Sequence, residues 1–243
     1  PQVFAPLTEE QIVGYVRELA SGDRDRSARA VRMLEQAGES VIPVLEAWSA
    51  SAAAAGEDAR RRVREVRYYL LLPDTLGTER ARIVHRLVFG NQDERLRSLA
   101  AAAAAGDRAL PVLADFLGDA DPLIREAAVD SLIAAGRNSA YPYLSALLKT
   151  EKDEEVIHAV VRGAGSLKGP KAVELVGPFL SHANEDLAVA ALASLGRTKS
   201  ATAATAVKEC LKSSRWRVRA AALESIGKLG ASSAEKEVAG CLD

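Results

Sequence analysis

The stretch 109–136, ALPVLADFLGDADPLIREAAVDSLIAAG, holds one complete repeating unit of this 243-residue chain. Its second half places apolar residues such as Ile124, Ala128 and Leu132 four apart, which is the spacing of one face of a helix. Pro111 stands near the start of the first half, and a proline is tolerated in the first turn of a helix because that turn needs no amide donor. The stretch therefore predicts two helices joined by a short polar turn.

The same unit recurs along the chain, which two independent patterns indicate. In the first pattern an Asp or Asn is followed six residues later by an Arg. Its members are Asp23 with Arg29, Asp58 with Arg64, Asn91 with Arg97, and Asp119 with Arg125. The second pattern is Phe116-Leu117, Leu147-Leu148, Phe179-Leu180, Cys210-Leu211 and Cys241-Leu242. Because one helix pair cannot bury its apolar face alone, such units are expected to stack into one continuous array.

The periodicity predicts an all-α chain, since no stretch alternates in the manner of a strand. The predicted helix pairs are 8–20/24–37, 39–53/57–72, 78–89/93–105, 107–118/121–135, 138–149/153–167, 170–181/184–196 and 200–212/215–229, with a last helix at 231–242. We expect a single array over 1–243, with 1–7 as an N-terminal linker or extension. The unit near 68–78 is irregular, because Pro73 and Gly77 interrupt it and predict a longer loop or a change in curvature.

These residues resemble HEAT repeats, which have a proline in the first helix, an Asp at the turn and an Arg six residues later. Pro111, Asp119 and Arg125 carry the whole set. The short form DxxxxVRxxAaxaLg is similar to bacterial repeats named after phycobilisome lyases. The resemblance covers about 20–243 and implies a right-handed α-solenoid of about seven two-helix repeats, whose second helices line a concave face that binds proteins or sometimes nucleic acid. It also implies that the Asp/Arg ladder is structural and fixes the register of the repeats.

Composition and charge exclude several classes of protein. Lys and Arg number 32 against 33 Asp and Glu, and this balance argues against a dedicated nucleic-acid binder. The longest apolar run, 99–105, is far shorter than the ~20 residues that cross a membrane, and no signal segment opens the chain. The two cysteines are too few for a disulfide framework and are expected to be buried free thiols. The cytoplasm is favoured, although a start at Pro1 allows an exported processed protein or a fragment.

No catalytic or metal-binding constellation is readable in the sequence. The histidines are His85, His158 and His182, and none is followed by the Glu that the HEAT-like deoxyhypusine hydroxylases pair with it. HExxH, CxxC, GxSxG and phosphate-loop motifs are absent as well. The chain is therefore predicted to be no enzyme and to use no cofactor and no metal.

Two groups of residues are candidate contacts for a partner. The first is an arginine cluster, with Arg60, Arg64 and Arg67 on one helix face and Arg82 and Arg86 on the next helix. Such a cluster is either a solvated or stack-bridging face or a site for nucleic acid or an acidic protein. The second is Trp216, which stands between Arg215 and Arg217 at a helix start. An aromatic residue there is either an exposed binding anchor or an apolar staple packed under the helix.

Three functions follow from these patterns. The leading prediction is a non-enzymatic scaffold that binds a protein or peptide through the concave face of the array. The first alternative is a nucleic-acid-binding HEAT-like protein that uses the cluster around 60–67 and 80–86. The second alternative, suggested by the repeat subtype alone, is a phycobilin-lyase-like enzyme or chaperone. The identity of the partner and the oligomeric state are left open.

Overall fold

The computed structural model describes residues 7–21, 23–51, 56–167, 170–198 and 200–230. Helices dominate these residues, and none of the described stretches forms a strand. The helices are α1 (Glu9–Ala20), α2 (Arg24–Ala37), α3 (Ile42–Ser51), α4 (Glu57–Leu71), α5 (Glu79–Phe89), α6 (Gln92–Ala102), α7 (Leu110–Ala114), α8 (Pro122–Gly136), α9 (Tyr141–Leu147), α10 (Glu154–Gly163), α11 (Lys171–Val176), α12 (Glu185–Gly196), α13 (Ala201–Glu209) and α14 (Trp216–Leu229). The all-α prediction is confirmed, and the predicted last helix and Cys241 lie outside the described residues.

The predicted helix pairs are confirmed as alternating first (odd-numbered) and second (even-numbered) helices, but several first helices are shorter than predicted. The predicted helix 107–118 is α7 plus a 3-10 segment, Asp115–Gly118. The predicted helix 170–181 is likewise α11 followed by the 3-10 segment Gly177–Ser181. A tighter last turn satisfies carbonyls at the end of a short helix, which a periodicity argument does not detect.

The chain divides into two compact units, which we call unit 1 (up to Val112) and unit 2 (from Leu113). In unit 1, α1 packs against α2 and α4, and α4 packs against α5. The buried core of this packing is Ile12, Val16, Leu19, Ala30, Leu34, Val41, Leu45, Val63, Val66 and Leu70. Trp48 packs against it partly buried. Continuity of the array from one unit to the other stays a prediction.

Unit 2 is built on its second helices, because α8, α10, α12 and α14 contact one another in order. Small residues let α12 and α14 approach closely. A Cβ atom added at Gly196 would lie 3.1 Å from Cα of Ser225. The hydroxyl of Ser225 is buried and donates to the backbone oxygen of Leu192 at 2.8 Å. The second helices of unit 2 therefore form one packed row of parallel helices.

The turns before most second helices share a hydrogen-bond pattern. Polar cap side chains accept backbone amides of the first turn, which stabilises a helix start. These caps are Asp23, Asn91, Asp121, Asp153 and Asn184. Before α2, α8, α10, α12 and α14, the side chain two residues before the cap residue accepts the amide of that cap residue. The acceptors are Ser21, Asp119, Glu151, His182 and Ser213, at 3.3, 3.0, 2.9, 3.1 and 3.3 Å.

Arginines in the second helices fall into two registers. Arg125 and Arg219 stand four residues after their cap residues, Asp121 and Arg215. Their Nη1 atoms donate to the backbone oxygens of the residues six before them, Asp119 at 2.9 Å and Ser213 at 2.8 Å. Because the acceptor is a main-chain carbonyl, the hydrogen bond forms whatever side chain stands six residues before the arginine.

The other ladder arginines stand elsewhere in their helices. Asp23 and Asn91 are cap residues themselves, so Arg29 and Arg97 follow their caps by six residues rather than four. In α4 the cap is Gly56, so Asp58 is already helical and Arg64 follows the cap by eight residues. Arg29, Arg64 and Arg97 are exposed, and no hydrogen bond or ion pair joins them to another described residue. Asp/Asn–Arg pairs that share a spacing of six residues therefore occupy different positions in the repeat.

The connection between α4 and α5, which includes the irregular stretch, is seven residues long, from 72 to 78. The connections 103–109 and 164–170 have the same length, so length does not distinguish it. Pro73 is extended, and Gly77 has a φ of 56°, a conformation that favours glycine. This connection contributes to a groove in unit 1.

Candidate functional site

The predicted arginine cluster on α4 is largely paired. Glu57 lies 3.2 Å from both Arg60 and Arg61, and Arg67 lies 3.9 Å from Glu46. Arg62 donates to the hydroxyl of Ser27 at 2.8 Å. Of the three arginines predicted to share one face, only Arg64 is an exposed side chain without a hydrogen bond or ion pair to the described residues.

The arginines of α5 divide in the same way. Arg80 is 11% exposed, donates to the backbone oxygen of Tyr69, stacks on the Tyr69 ring and pairs with Asp74. Arg82 pairs with Glu79 at 2.7 Å. Arg86 is exposed, and no ion pair or hydrogen bond joins it to the described chain. The structure thus uses most of this cluster for intramolecular contacts and leaves Arg64 and Arg86 open to solvent.

Trp216 is the most exposed large apolar side chain of the described residues, at 68%. It is the first residue of α14. Its neighbour Arg215 donates to the backbone oxygen of His182 at 2.6 Å. Arg217 pairs with Asp186 at 2.7 Å and with Glu185 at 3.4 Å, both in the first turn of α12. The indole is therefore exposed and does not pack under the helix as a staple, and the arginines before and after it in the sequence bind α12 or the turn that precedes α12.

Trp216 belongs to a row of helix starts along one edge of unit 2. The second helices of this unit pack side by side, and hydrogen bonds join the start of one helix to the start of the next. Asn184 donates to Glu154 at 2.9 Å in this way. The exposed or half-exposed residues of the row, which we call the helix-start row, are Leu123, Glu154, Glu155, Glu185, Asp186, Trp216 and Arg217. It has apolar side chains at its two ends, and four carboxylates between them.

Sequence reasoning missed Leu123, which is 52% exposed in the first turn of α8. A signal for it was available, because Leu123 lies outside the apolar stripe that includes Ile124 and Ala128. An apolar residue outside the stripe of an amphipathic helix is either exposed or packed against a neighbouring element.

A groove of about 470 Å³ lies in unit 1. The residues that line it come from α2 and the turn after it, the end of α4 with the connection that follows, α5, and the 3-10 segment Ala103–Ala109. They are Arg32, Glu35, Gln36, Gly38, Glu39, Tyr69, Leu70, Leu72, Pro73, Asp74, Arg80 and Arg108. Three arginines and three carboxylates thus meet around a partly apolar lining. No spacing in the sequence predicts this site, because its residues come from separate segments that only folding brings together.

Within the groove the charged groups are unequally paired. Arg108 pairs with Glu39, and Arg80 pairs with Asp74. Glu35 is half-buried, and no described residue forms a hydrogen bond or ion pair with it. Burial raises the pKa of the Glu35 carboxyl, and the charge of Arg80 partly opposes this rise.

Other reactive groups of the described chain are dispersed. His85 lies 3.2 Å from Glu65 and stacks on Phe89, whereas His182 accepts the amide of Asn184. Burial raises the pKa of the half-buried Cys210 thiol. Among the described residues no three His, Cys, Asp or Glu side chains are grouped as metal ligands would be. None of the helices described is both long and apolar enough to cross a membrane.

Comparison with known proteins gives a family match. A family model described as HEAT repeats matches residues 84–165, 148–227 and 173–242, which together span more than half of the chain. Among curated protein sequences none matches this chain significantly.

Comparison with solved structures gives matches that cover most of the chain at low identity. Human deoxyhypusine hydroxylase in complex with glycerol is 15% identical over 92% of this chain and 97% of its own, with a TM-score of 0.45. An engineered protein is 16% identical over 91% and 97%, with a TM-score of 0.38. A designed armadillo repeat protein is 18% identical over 89% and 98%, with a TM-score of 0.35. None of these likenesses carries an argument about activity.

Proposed function

Since the chain belongs to the HEAT-repeat family, we propose that it is a non-enzymatic scaffold that binds a partner protein or peptide through its second helices. The α-solenoid of HEAT-like repeats supports an interaction role in general. The observation that carries the proposal further is the exposed Trp216 at the end of the helix-start row. The partner is expected to bury this indole.

Energetics support Trp216 as the centre of the contact. A buried Trp side chain removes roughly 150–250 Å² from water, and apolar burial contributes about 25 cal/mol per Å². Trp is enriched among the few interface residues whose truncation costs about 2 kcal/mol or more. The ion pairs of Arg217 and the hydrogen bond from Arg215 to a backbone oxygen hold the start of α14 in place. Binding therefore costs little conformational entropy here.

The charge of the helix-start row indicates what surrounds the indole. Glu155 is exposed, and no described residue pairs with it, whereas Arg217 neutralises part of the charge of Glu185 and Asp186. Carboxylates at helix starts are favoured by the helix dipole and need no cationic partner to be stable. A partner with basic residues next to an apolar pocket would complement this edge.

The test is an affinity pull-down from native cell extract at low and at high salt, with the unmodified chain and with Trp216→Ala. We expect a stoichiometric protein to be retained at high salt by the unmodified chain and lost by Trp216→Ala. Phe89→Ala is the matched control, because Phe89 is an exposed aromatic residue of unit 1, at 39%. Equal retention by Trp216→Ala and the unmodified chain would rule out the helix-start row as the contact.

A second candidate, nucleic acid, rests on the exposed arginines of unit 1 that have no partner among the described residues. They are Arg17, Arg24, Arg29, Arg32, Arg64, Arg86 and Arg97. Arginine contacts to phosphates release counterions, so such binding weakens steeply as salt rises. Nucleic acid recovered in the pull-down at low salt alone would favour this candidate over the scaffold.

A further inference from the structure

The groove of unit 1 contains one carboxylate, Glu35, that forms no hydrogen bond or ion pair with the described residues. Its other two carboxylates are matched by arginines, since Asp74 pairs with Arg80 and Glu39 pairs with Arg108. Glu35, on the last turns of α2, lines the same groove and is half-buried, and no described residue donates to it. A carboxylate that has lost water without gaining a donor is unfavourable, and an incoming cation would remove that cost.

Arg80 does not supply this cation, because its guanidinium is already committed. It donates to the backbone oxygen of Tyr69 from Nε at 2.7 Å, stacks on the Tyr69 ring at 3.9 Å and pairs with Asp74. Its charge reaches Glu35 only through space. Arg32, one turn before Glu35, is exposed and makes no ion pair with the described residues, so its charge is screened by solvent.

The lining of the groove fits a long side chain with a cationic end. Tyr69 and Pro73, which are both partly exposed, provide apolar surface, while the carboxylate of Glu35 provides an acceptor. Lysine and arginine combine an aliphatic stem with a charged head in this way, and they bury the stem while the head finds a polar partner. A volume of about 470 Å³ also exceeds what one such side chain needs, so part of the peptide backbone would fit as well.

We propose that this groove binds a lysine or arginine side chain of a partner peptide, with Glu35 accepting its charged head and Tyr69 and Pro73 contacting its stem. The site is separate from the helix-start row, because every residue that lines it belongs to unit 1. The proposal therefore does not depend on Trp216, and either site can fail without the other.

The experiment titrates the full-length ¹⁵N-labelled chain with the tripeptide amides acetyl-Gly-Arg-Gly and acetyl-Gly-Glu-Gly and with inorganic phosphate. We expect the arginyl peptide to shift amide signals of 35–39, 69–72 and 74 saturably, with a Kd on the order of 1 mM for a single side chain. Glu35→Gln should weaken this binding by about tenfold or more, since hydrogen bonds to charged groups are the stronger class. Glu10→Gln, which removes an exposed carboxylate of α1, should leave it unchanged.

A second measurement needs no variant and separates a binding role of Glu35 from a structural one. Lowering the pH should weaken the arginyl peptide's binding as Glu35 takes up a proton, because a neutral carboxyl attracts the cation far less. Asp74 and Glu39 form ion pairs with Arg80 and Arg108. Glu65 is the remaining carboxylate whose charge acts on Glu35.

Three outcomes would overturn the proposal. The arginyl peptide shifts no groove signals, or phosphate and the glutamyl peptide shift them instead, which would make the groove an anion site. Alternatively, a folded Glu35→Gln variant binds the arginyl peptide as tightly as the unmodified chain does. Thermal unfolding at pH 7 checks folding, and Glu35→Gln should melt no lower than the unmodified chain because it removes a desolvated charge.

Discussion

The best-connected ion pair of unit 2 joins Arg125 of α8 to Glu151, which lies in the turn before α10. Nε and Nη2 of Arg125 donate to the two carboxylate oxygens at 2.8 and 3.1 Å. The side chains are 16% and 6% exposed. Glu151 also accepts the amides of Lys152 and Asp153, both at 2.9 Å. One carboxylate therefore fixes its own turn and connects it to the preceding second helix.

Replacing Glu151 by Gln should destabilise the protein by about 3 kcal/mol, because it leaves the guanidinium of Arg125 partly buried without a counter-charge. Chemical denaturation at pH 7 measures this free energy of unfolding. Glu155→Gln is the matched control. Glu155 is an exposed glutamate in the first turn of α10, so this exchange should change the free energy of unfolding little. Similar values for the two variants would contradict the prediction.

The same pair makes stability depend on acid. Hydrogen bonds from Arg125 lower the pKa of Glu151 below its usual value of 4.5 in the folded state. The unfolded state then binds a proton more readily, so the stabilisation is present above that usual value and is lost as the pH falls through the lowered one. Glu151→Gln should therefore reduce the loss of stability on acidification.

At the scale of the helices, the sequence predicted most of the architecture. Apolar spacing and cap residues such as Asp121 and Asp153 determine where second helices begin, and both signals are local. First helices such as α7 were predicted too long because their last turns tighten into 3-10 geometry. The arginine register was not predictable from the letters, because Arg125 and Arg219 bind main-chain carbonyls that every residue supplies.

This difference in register predicts unequal effects for two exchanges of the same kind. Arg219→Gln should destabilise the protein by about 1–2 kcal/mol, because the carbonyls of Ser213 and Ser214 lose a charged donor. Arg97→Gln should change stability by less than about 0.5 kcal/mol, since Arg97 is exposed and makes no bond with the described residues. Urea denaturation of both variants measures these changes. Equal losses of stability would mean that both arginines have the same structural role.

The candidate sites were less predictable than the helices. Trp216 stood out as a large aromatic residue at a helix start, but only the structure shows that it is 68% exposed. Glu35, Arg32 and Arg108 carry no motif, because the groove they line is assembled from segments far apart in the chain. Most arginines of the predicted cluster form ion pairs with carboxylates. Glu57 and Glu79 lie three or four residues away on the same helix, where spacing reveals them, whereas Glu46 and Asp74 belong to other segments.

For the whole molecule, a net charge of -1 and the pairing of most cluster arginines argue against stable nucleic-acid binding. We expect the full chain to show no measurable affinity for a labelled 20-base-pair duplex at about 150 mM salt in fluorescence anisotropy. Arg64→Ala combined with Arg86→Ala should then change nothing. Tight binding with a steep salt dependence that this double variant abolishes would reverse the conclusion.

The turn before the second helix bears on how such a chain can diversify. Serine, aspartate, glutamate and histidine all fill the same acceptor position, at Ser213, Asp119, Glu151 and His182. The position requires only a side-chain atom with a lone pair within hydrogen-bond distance of the cap residue's amide, not one particular residue. Duplicated repeats can therefore drift apart in sequence here while each keeps its fold, and a substitution such as Ser to His is available to selection at little structural cost. Sequence identity between two repeats of this chain is therefore a poor guide to whether their turns have the same geometry.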